Sequence, residues 1–289
     1  MTADVSQPRR IFPSATEEAG IADKVEGTPQ TNHPSYRLAI ADRDFLLRDE
    51  LRPVRFQLEM LKPELILKEH KIASTVVFYG SARIPSPQAA EALVAAARTP
   101  REKLVAERLK EKSRYYDEAY KLAYRFSSIP QDPDGERHYV VCSGGGPSIM
   151  EAANKGAHDA GAPTIGLNIV LPHEQYPNEY VTPSLSFQFH YFALRKMHFL
   201  MRARAVVAFP GGFGTFDELF EALTLVQTGK MKPIPILLFG REFWNRVVNF
   251  EALAEEGTIS PRDLELFRFV ETAEEAWQVL HECWGLPAE

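Results

Sequence analysis

From residue 74 onward, short β-branched apolar runs alternate with longer stretches whose apolar positions recur every three or four residues. The runs STVVFYG (74–80), HYVVCSGGG (138–146), PTIGLNI (163–169), SLSFQFHY (184–191), AVVAF (205–209), IPILLFG (234–240) and LFRFVE (266–271) predict about seven strands. Between them lie a long, mostly helical segment (86–128), PSIMEAANKGAHDAG (147–161), FALRKMHFLMRA (192–203), LFEALTLVQTGK (219–230) and TAEEAWQVLHECW (272–284). Pro147 is expected in the first turn of the second of these helices and Gly161 at its end. Near-continuous apolar strands separated by helices predict a parallel sheet covered on both faces. The expected fold is therefore α/β, a Rossmann-like doubly wound sheet whose ligands bind beyond the carboxyl ends of the strands. Most of the glycine-rich turns fall at those ends.

The pattern differs before residue 74. Residues 1–35 lack periodicity and are rich in Pro, Ser, Thr and Glu, the composition of a mobile tail. RDFLLRDELRPVRFQLEMLKPELILKEH (43–70) predicts helices interrupted at Pro53 and Pro63. The expected organisation is a tail (1–35), an N-terminal helical extension (36–72) and the α/β domain (73–289).

Charge and composition narrow the chemistry. With 33 Lys+Arg against 39 Asp+Glu, the net charge of −6 gives no general attraction for nucleic acid or anionic lipid. Two cysteines make no disulfide framework, and no HExxH or histidine cluster has metal-ligand spacing, so no metal is expected. His190 and His198 are left outside the site. No apolar stretch has the length of a membrane span and the N-terminus has no apolar leader, so the cytoplasm is the expected compartment. The P-loop pattern GxxxxGK[ST] is absent. The dinucleotide fingerprint fails too, because Asp217 and Ile149 stand where its third small residue belongs when it starts at Gly212 or Gly144.

What remains is PGGFGTFDE (210–218), which follows an apolar strand and opens a helix. Gly211, Gly212 and Gly214 let the backbone approach an anion. The N–H groups around Phe213 and the Thr215 hydroxyl can then donate to a phosphate. A plain glycine turn that binds nothing has the same appearance. Glu218 likewise has two readings. Thr215 and Glu218 have capping-box spacing, with Thr215 as the cap, whereas a carboxylate beside a bound phosphate makes sense if it addresses the sugar.

SGGGPSIMEAANKGA (143–157), and ALRKMHFLMRARAVVAFPGGFGTFDELFEALTLVQTGK (193–230) after it, resemble the LOG ("lonely guy") family, whose members are often labelled lysine decarboxylases. Its PGGxGTxxE signature and the preceding Arg-Lys pair, Arg195-Lys196, are intact, and the resemblance runs from about residue 74 to 271, in a longer bacterial form. It implies hydrolysis of the N-glycosidic bond of a nucleoside 5′-monophosphate, AMP or an N6-modified cytokinin nucleotide, to free base and ribose 5-phosphate without a cofactor. Arg195 and Glu218 would be catalytic, Glu218 stabilising oxocarbenium character on the ribose and orienting the water. Lys196 or Arg195 would join the 210–215 turn on the phosphate, the base would lie near Gly80, Ser81, Ser143, Gly144 and Gly145, and Glu174 would contact substrate. A homodimer or higher homo-oligomer is implied as well. A decarboxylase would use pyridoxal phosphate on a lysine, and no lysine here is marked for that. The other readings are a non-catalytic carrier of a nucleotide or molybdenum cofactor, as in related carriers of this fold, and a nucleotide sensor.

Overall fold

A computed structural model describes residues 12–131, 134–172 and 176–285. The chain divides into two units, with the boundary between Leu58 and Glu59. Before it lie α1 (Ala15–Ala22), α2 (Arg43–Leu46) and the start of α3 (Arg52–Glu69). α1 forms within the span expected as a mobile tail. No apolar stripe announces it, since none of its residues is buried; a reciprocal capping box between Ser14 and Glu17 starts it instead. α3 also departs from expectation, running through both prolines. Pro53 sits in the first turn, where its missing N–H forfeits no helical bond. Pro63 is interior and forfeits one, at about 3 kcal/mol. Its own burial with Leu67 offsets that, as does the paired grip of Glu64 on the Arg202 guanidinium.

The second unit contains β1 (Thr75–Tyr79), α4 (Pro87–Ala96), α5 (Pro100–Ser127), β2 (Val140–Ser143), α6 (Ile149–Asp159), β3 (Ile165–Ile169), β4 (Ser186–Phe189), α7 (Phe192–Leu200), β5 (Ala203–Ala208), α8 (Phe213–Gln227), β6 (Ile236–Phe239), α9 (Arg241–Val247), α10 (Phe250–Glu255), β7 (Arg268–Val270) and α11 (Ala273–Trp284). The seven strands form one sheet in the order β4-β3-β2-β1-β5-β6-β7, and every pairing is parallel. The Rossmann-like doubly wound sheet expected from the sequence is the one observed.

Alternation along the strands divides the core. Val76 and Phe78 of β1, with Val207 of β5 and Phe239 of β6, pack with Leu122 and Phe126 of α5, Ile149 of α6 and Trp277 of α11. The alternate residues Val77 and Tyr79 are also buried, and Tyr79 meets Phe199 of α7 edge-on, with ring centroids 5.2 Å apart. β1 pairs with β2 on one side and β5 on the other, so the chain order reverses there. Turns leaving β1 and β5 separate at such a point and open a crevice between them. Among the described residues, no helix is long and apolar enough to cross a membrane.

Candidate active site

The crevice is a cleft of about 840 Å³, walled by Gly80, Ser81 and Arg83 after β1, Gly144 after β2, Arg195 of α7, and the first turn of α8 from Gly212 through Glu218. The α8 turn begins earlier than the capping-box spacing predicts. Gly212 is the N-cap and carries no side chain to satisfy the helix end, while Thr215 lies inside the first turn. The first helical bond there runs from Phe216 N to Gly212 O, 3.1 Å. The N–H groups of Phe213, Gly214 and Thr215 consequently have no partner in the helix, and they sit at the positive end of its dipole. Gly211 itself lies behind this wall, where an added Cβ would overlap the Thr215 side chain.

With Thr215 displaced from the cap, the Glu218 carboxylate does not return to it. It accepts instead from Arg195 Nη1 at 3.1 Å, and both side chains are largely buried. Three further contacts fix Arg195. Its Nε donates to the Leu167 carbonyl of β3 at 2.7 Å, its guanidinium lies 4.9 Å from the Phe199 ring centroid, and a Cβ on Gly144 would come within 2.7 Å of Nη2. Glycine at 144 is what admits the guanidinium. Burial raises the Glu218 pKa to about 7 against the opposing pull of Arg195, and burial also lowers that of Arg195 against the pull of Glu218. A carboxylate poised near neutrality at a helix N-terminus, beside a fixed guanidinium, can exchange a proton with a bound molecule or answer a developing positive charge.

The expected residues do not all converge. Gly80, Ser81, Gly144, Gly212, Phe213, Gly214, Thr215, Arg195 and Glu218 line the cleft. Ser143 lies beneath it, fully buried, donating to Asn154 Oδ1 (2.7 Å) and accepting from Gly145 N (3.0 Å). Asn154 and Asn178 extend this network, which shapes the 143–146 turn rather than facing a ligand. α6 then starts at Ile149, after Ser148 with φ of +67°, so Pro147 precedes the helix instead of opening it. Lys196 is outside the cleft. About 100° further round α7 than Arg195, it pairs with Asp217 and Glu221, each at 2.9 Å. Glu174 lies outside the described residues.

Several cleft residues escape the sequence reading. Arg83 lies two residues after Ser81, and its nearness to a strand-end turn was the signal available. Met150, Phe192 and Phe199 read as ordinary helical apolar positions. Tyr79 looks like core, yet it borders the cleft and its buried hydroxyl has no hydrogen-bond partner among the described residues. Among the same residues, no three His, Cys, Asp or Glu side chains are grouped to hold a metal ion.

Fold and cleft together define a doubly wound α/β protein with an anion-receptive helix end and an acid–guanidinium pair at its switch point. A family described as "Possible lysine decarboxylase" matches residues 150–280. The cytokinin riboside 5′-monophosphate phosphoribohydrolase LOG3 of Arabidopsis thaliana is 30% identical over 178 residues, 59% of this chain and 76% of the relative. LOG2 of the same plant is 26% identical over 174 residues, 59% and 77% of the two chains. The molybdenum cofactor carrier protein of Chlamydomonas reinhardtii, a solved structure, is 17% identical with a TM-score of 0.44, covering 73% of this chain and 98% of its own. The chain belongs to the LOG family.

Proposed function

We propose that this chain hydrolyses the N-glycosidic bond of a purine nucleoside 5′-monophosphate, AMP or an N6-modified cytokinin nucleotide, releasing free base and ribose 5-phosphate. The observation that carries the reading is the Arg195–Glu218 pair sharing one cleft with the unpartnered N–H groups of the α8 first turn. The 5′-phosphate accepts from those N–H groups, where the helix dipole favours an anion. That anchor sets the ribose against Glu218. As the C1′–N9 bond breaks, N9 leaves with the bonding pair and takes up a proton, while positive charge grows on C1′ and the ring oxygen. The Glu218 carboxylate stabilises that charge and accepts a proton from the water that adds to C1′. Arg195 holds the carboxylate in place and opposes its protonation.

Lysine decarboxylation has less support. A lysine that forms a Schiff base must reach its neutral form. Burial alone lowers the Lys196 pKa, but the Asp217 and Glu221 carboxylates outweigh it and leave the ammonium stabilised, away from the cleft. A homo-oligomer is part of the proposal, and Leu61 and Leu65 of α3 offer apolar surface, each more than half exposed.

The test is release of free adenine from AMP by wild type and Glu218→Gln, with folding followed by thermal melting. The variant should melt within a few degrees of wild type and lose activity by about 10³-fold. The reason for normal folding is not helix capping. With a pKa near 7, Glu218 is already half neutral at pH 7, and glutamine resembles that neutral form. AMP that raises the melting temperature of wild type, with neither AMP nor an N6-prenylated AMP being cleaved, would replace the hydrolase reading with a carrier or sensor.

A further inference from the structure

The nucleotide reading leaves a charge problem in the cleft. A phosphate dianion must settle at an α8 turn that also carries Asp217 and Glu218. The cations nearest in sequence do not neutralise it. Arg195 is engaged by Glu218, the Leu167 carbonyl and the Phe199 ring, and Lys196 faces away onto Asp217 and Glu221. Among the described residues lining the cleft, one other is cationic, Arg83. Its side chain is exposed and, among the described residues, makes no ion pair or hydrogen bond, so its five guanidinium donors are available to a ligand.

The backbone beneath Arg83 is held on both sides. Ser81 N donates to the Pro210 carbonyl at 3.1 Å, stitching the turn after β1 to the first residue of the 210–215 turn. Arg83 N donates to Ser81 Oγ at 3.0 Å. One residue on, Ile84 is buried in the core, and its carbonyl accepts from the Ser148 hydroxyl at the start of α6. A long, unpaired guanidinium thus rises from a fixed turn directly bonded to the anion-receptive one.

We propose that Arg83 is the phosphate clamp of this cleft, closing as a two-pronged donor on phosphate oxygens held from the other side by the α8 N–H groups. The inference rests on the nucleotide reading and adds to it the residue that supplies the missing positive charge. A guanidinium fork matches two phosphate oxygens at once, which a lysine ammonium does not. The pre-anchored turn limits the ordering that binding demands to the side chain itself.

The test is calorimetric binding of ribose 5-phosphate and of adenosine to wild type, Arg83→Ala and Arg83→Lys, alongside kcat and KM for AMP. Arg83→Ala should weaken ribose 5-phosphate by about 10- to 100-fold, the scale of a charge-assisted hydrogen bond. Adenosine, which has no phosphate, should bind as before, and the loss with AMP should appear in KM more than in kcat. Arg83→Lys should recover only part of the affinity. An alanine variant that binds ribose 5-phosphate as wild type does overturns the clamp, and equal losses for ribose 5-phosphate and adenosine overturn it in favour of a contact elsewhere. Wild type that binds no ribose 5-phosphate overturns it too. Because binding is read without turnover, a wild type that binds ribose 5-phosphate but cleaves no nucleotide defeats the hydrolase reading while the Arg83 comparison still decides the clamp.

Discussion

α7 and α8 face each other through two neighbouring sets of charges that have opposite characters. Arg195 and Glu218 form one pair, both largely withdrawn from water, with the acid driven up to about pH 7 and the guanidinium driven down. One residue along each helix, Lys196 meets Asp217, and a helical turn further it meets Glu221. There Asp217 stays more than half exposed and the lysine pKa ends raised. The same two residue classes on the same two helices thus give a perturbed acid on the cleft side and a stabilised cation on the other. The number of partners makes the difference. Arg195 and Glu218 each face a burial penalty larger than one partner returns, whereas Lys196, with a side chain about as buried (17% exposed against 14%), has two carboxylates that together outweigh its penalty.

The contrast breaks most severely at Arg195. Arg195→Met retains much of the side-chain volume but leaves Glu218 without a counter-charge. Activity should fall by at least about 10²-fold. The Glu218 pKa should move further above 7, so the loss of melting temperature relative to wild type should widen as pH rises past neutrality. A loss that is equal at pH 6 and pH 9 would mean the pair is not electrostatically coupled.

Wild type offers a subtler test through pH alone. In the unfolded chain Glu218 ionises near 4.5, and in the folded protein near 7. Between those values the folded state holds the extra proton. Its contribution is therefore fully present below about 4.5 and is lost as pH rises through about 7. The wild-type minus Glu218→Gln difference in unfolding free energy should shift by on the order of 3 kcal/mol across that window. Over the same range kcat/KM should climb with a midpoint near 7, because the carboxylate is the working form.

The smallest effect is expected on the other side of the helices. Lys196→Met should change stability by about 1 kcal/mol or less and activity by less than about threefold, since one of its acids is well solvated. A tenfold loss of activity would show that Lys196 leaves its acids to reach the substrate.

The order of the elements and the pocket-bearing turn were legible because strand and helix periods and glycine clusters are local signals. Tertiary geometry governed what was not legible. The capping-box spacing of Thr215 and Glu218 is genuine, yet α8 starts at Phe213 and the acid goes to a residue on another helix. Arg195 and Lys196 form one dipeptide in sequence, and helical rotation sends them to different sides. α3 survives Pro63 through the burial and ion pairing of its second half, neither of which appears in a propensity scale. The Leu167 carbonyl that fixes Arg195 leaves no trace in sequence at all, since every residue type has that oxygen.

The seam between β1 and β5 has a consequence for the order in which the molecule acquires its properties. Thr75–Tyr79 pairs with Ala203–Ala208 across a stretch of well over a hundred intervening residues, whereas the backbone hydrogen bonds inside a helix such as α5 span only four residues. Closing so long a loop is entropically slow, and non-local parallel pairing falls late in folding. The cleft straddles that seam, drawing Gly80 and Arg83 from one side and the α8 turn from the other. A refolding chain is therefore expected to gain most of its helix before the cleft can hold a ligand, and recovery of binding should report closure of this seam rather than the first collapse.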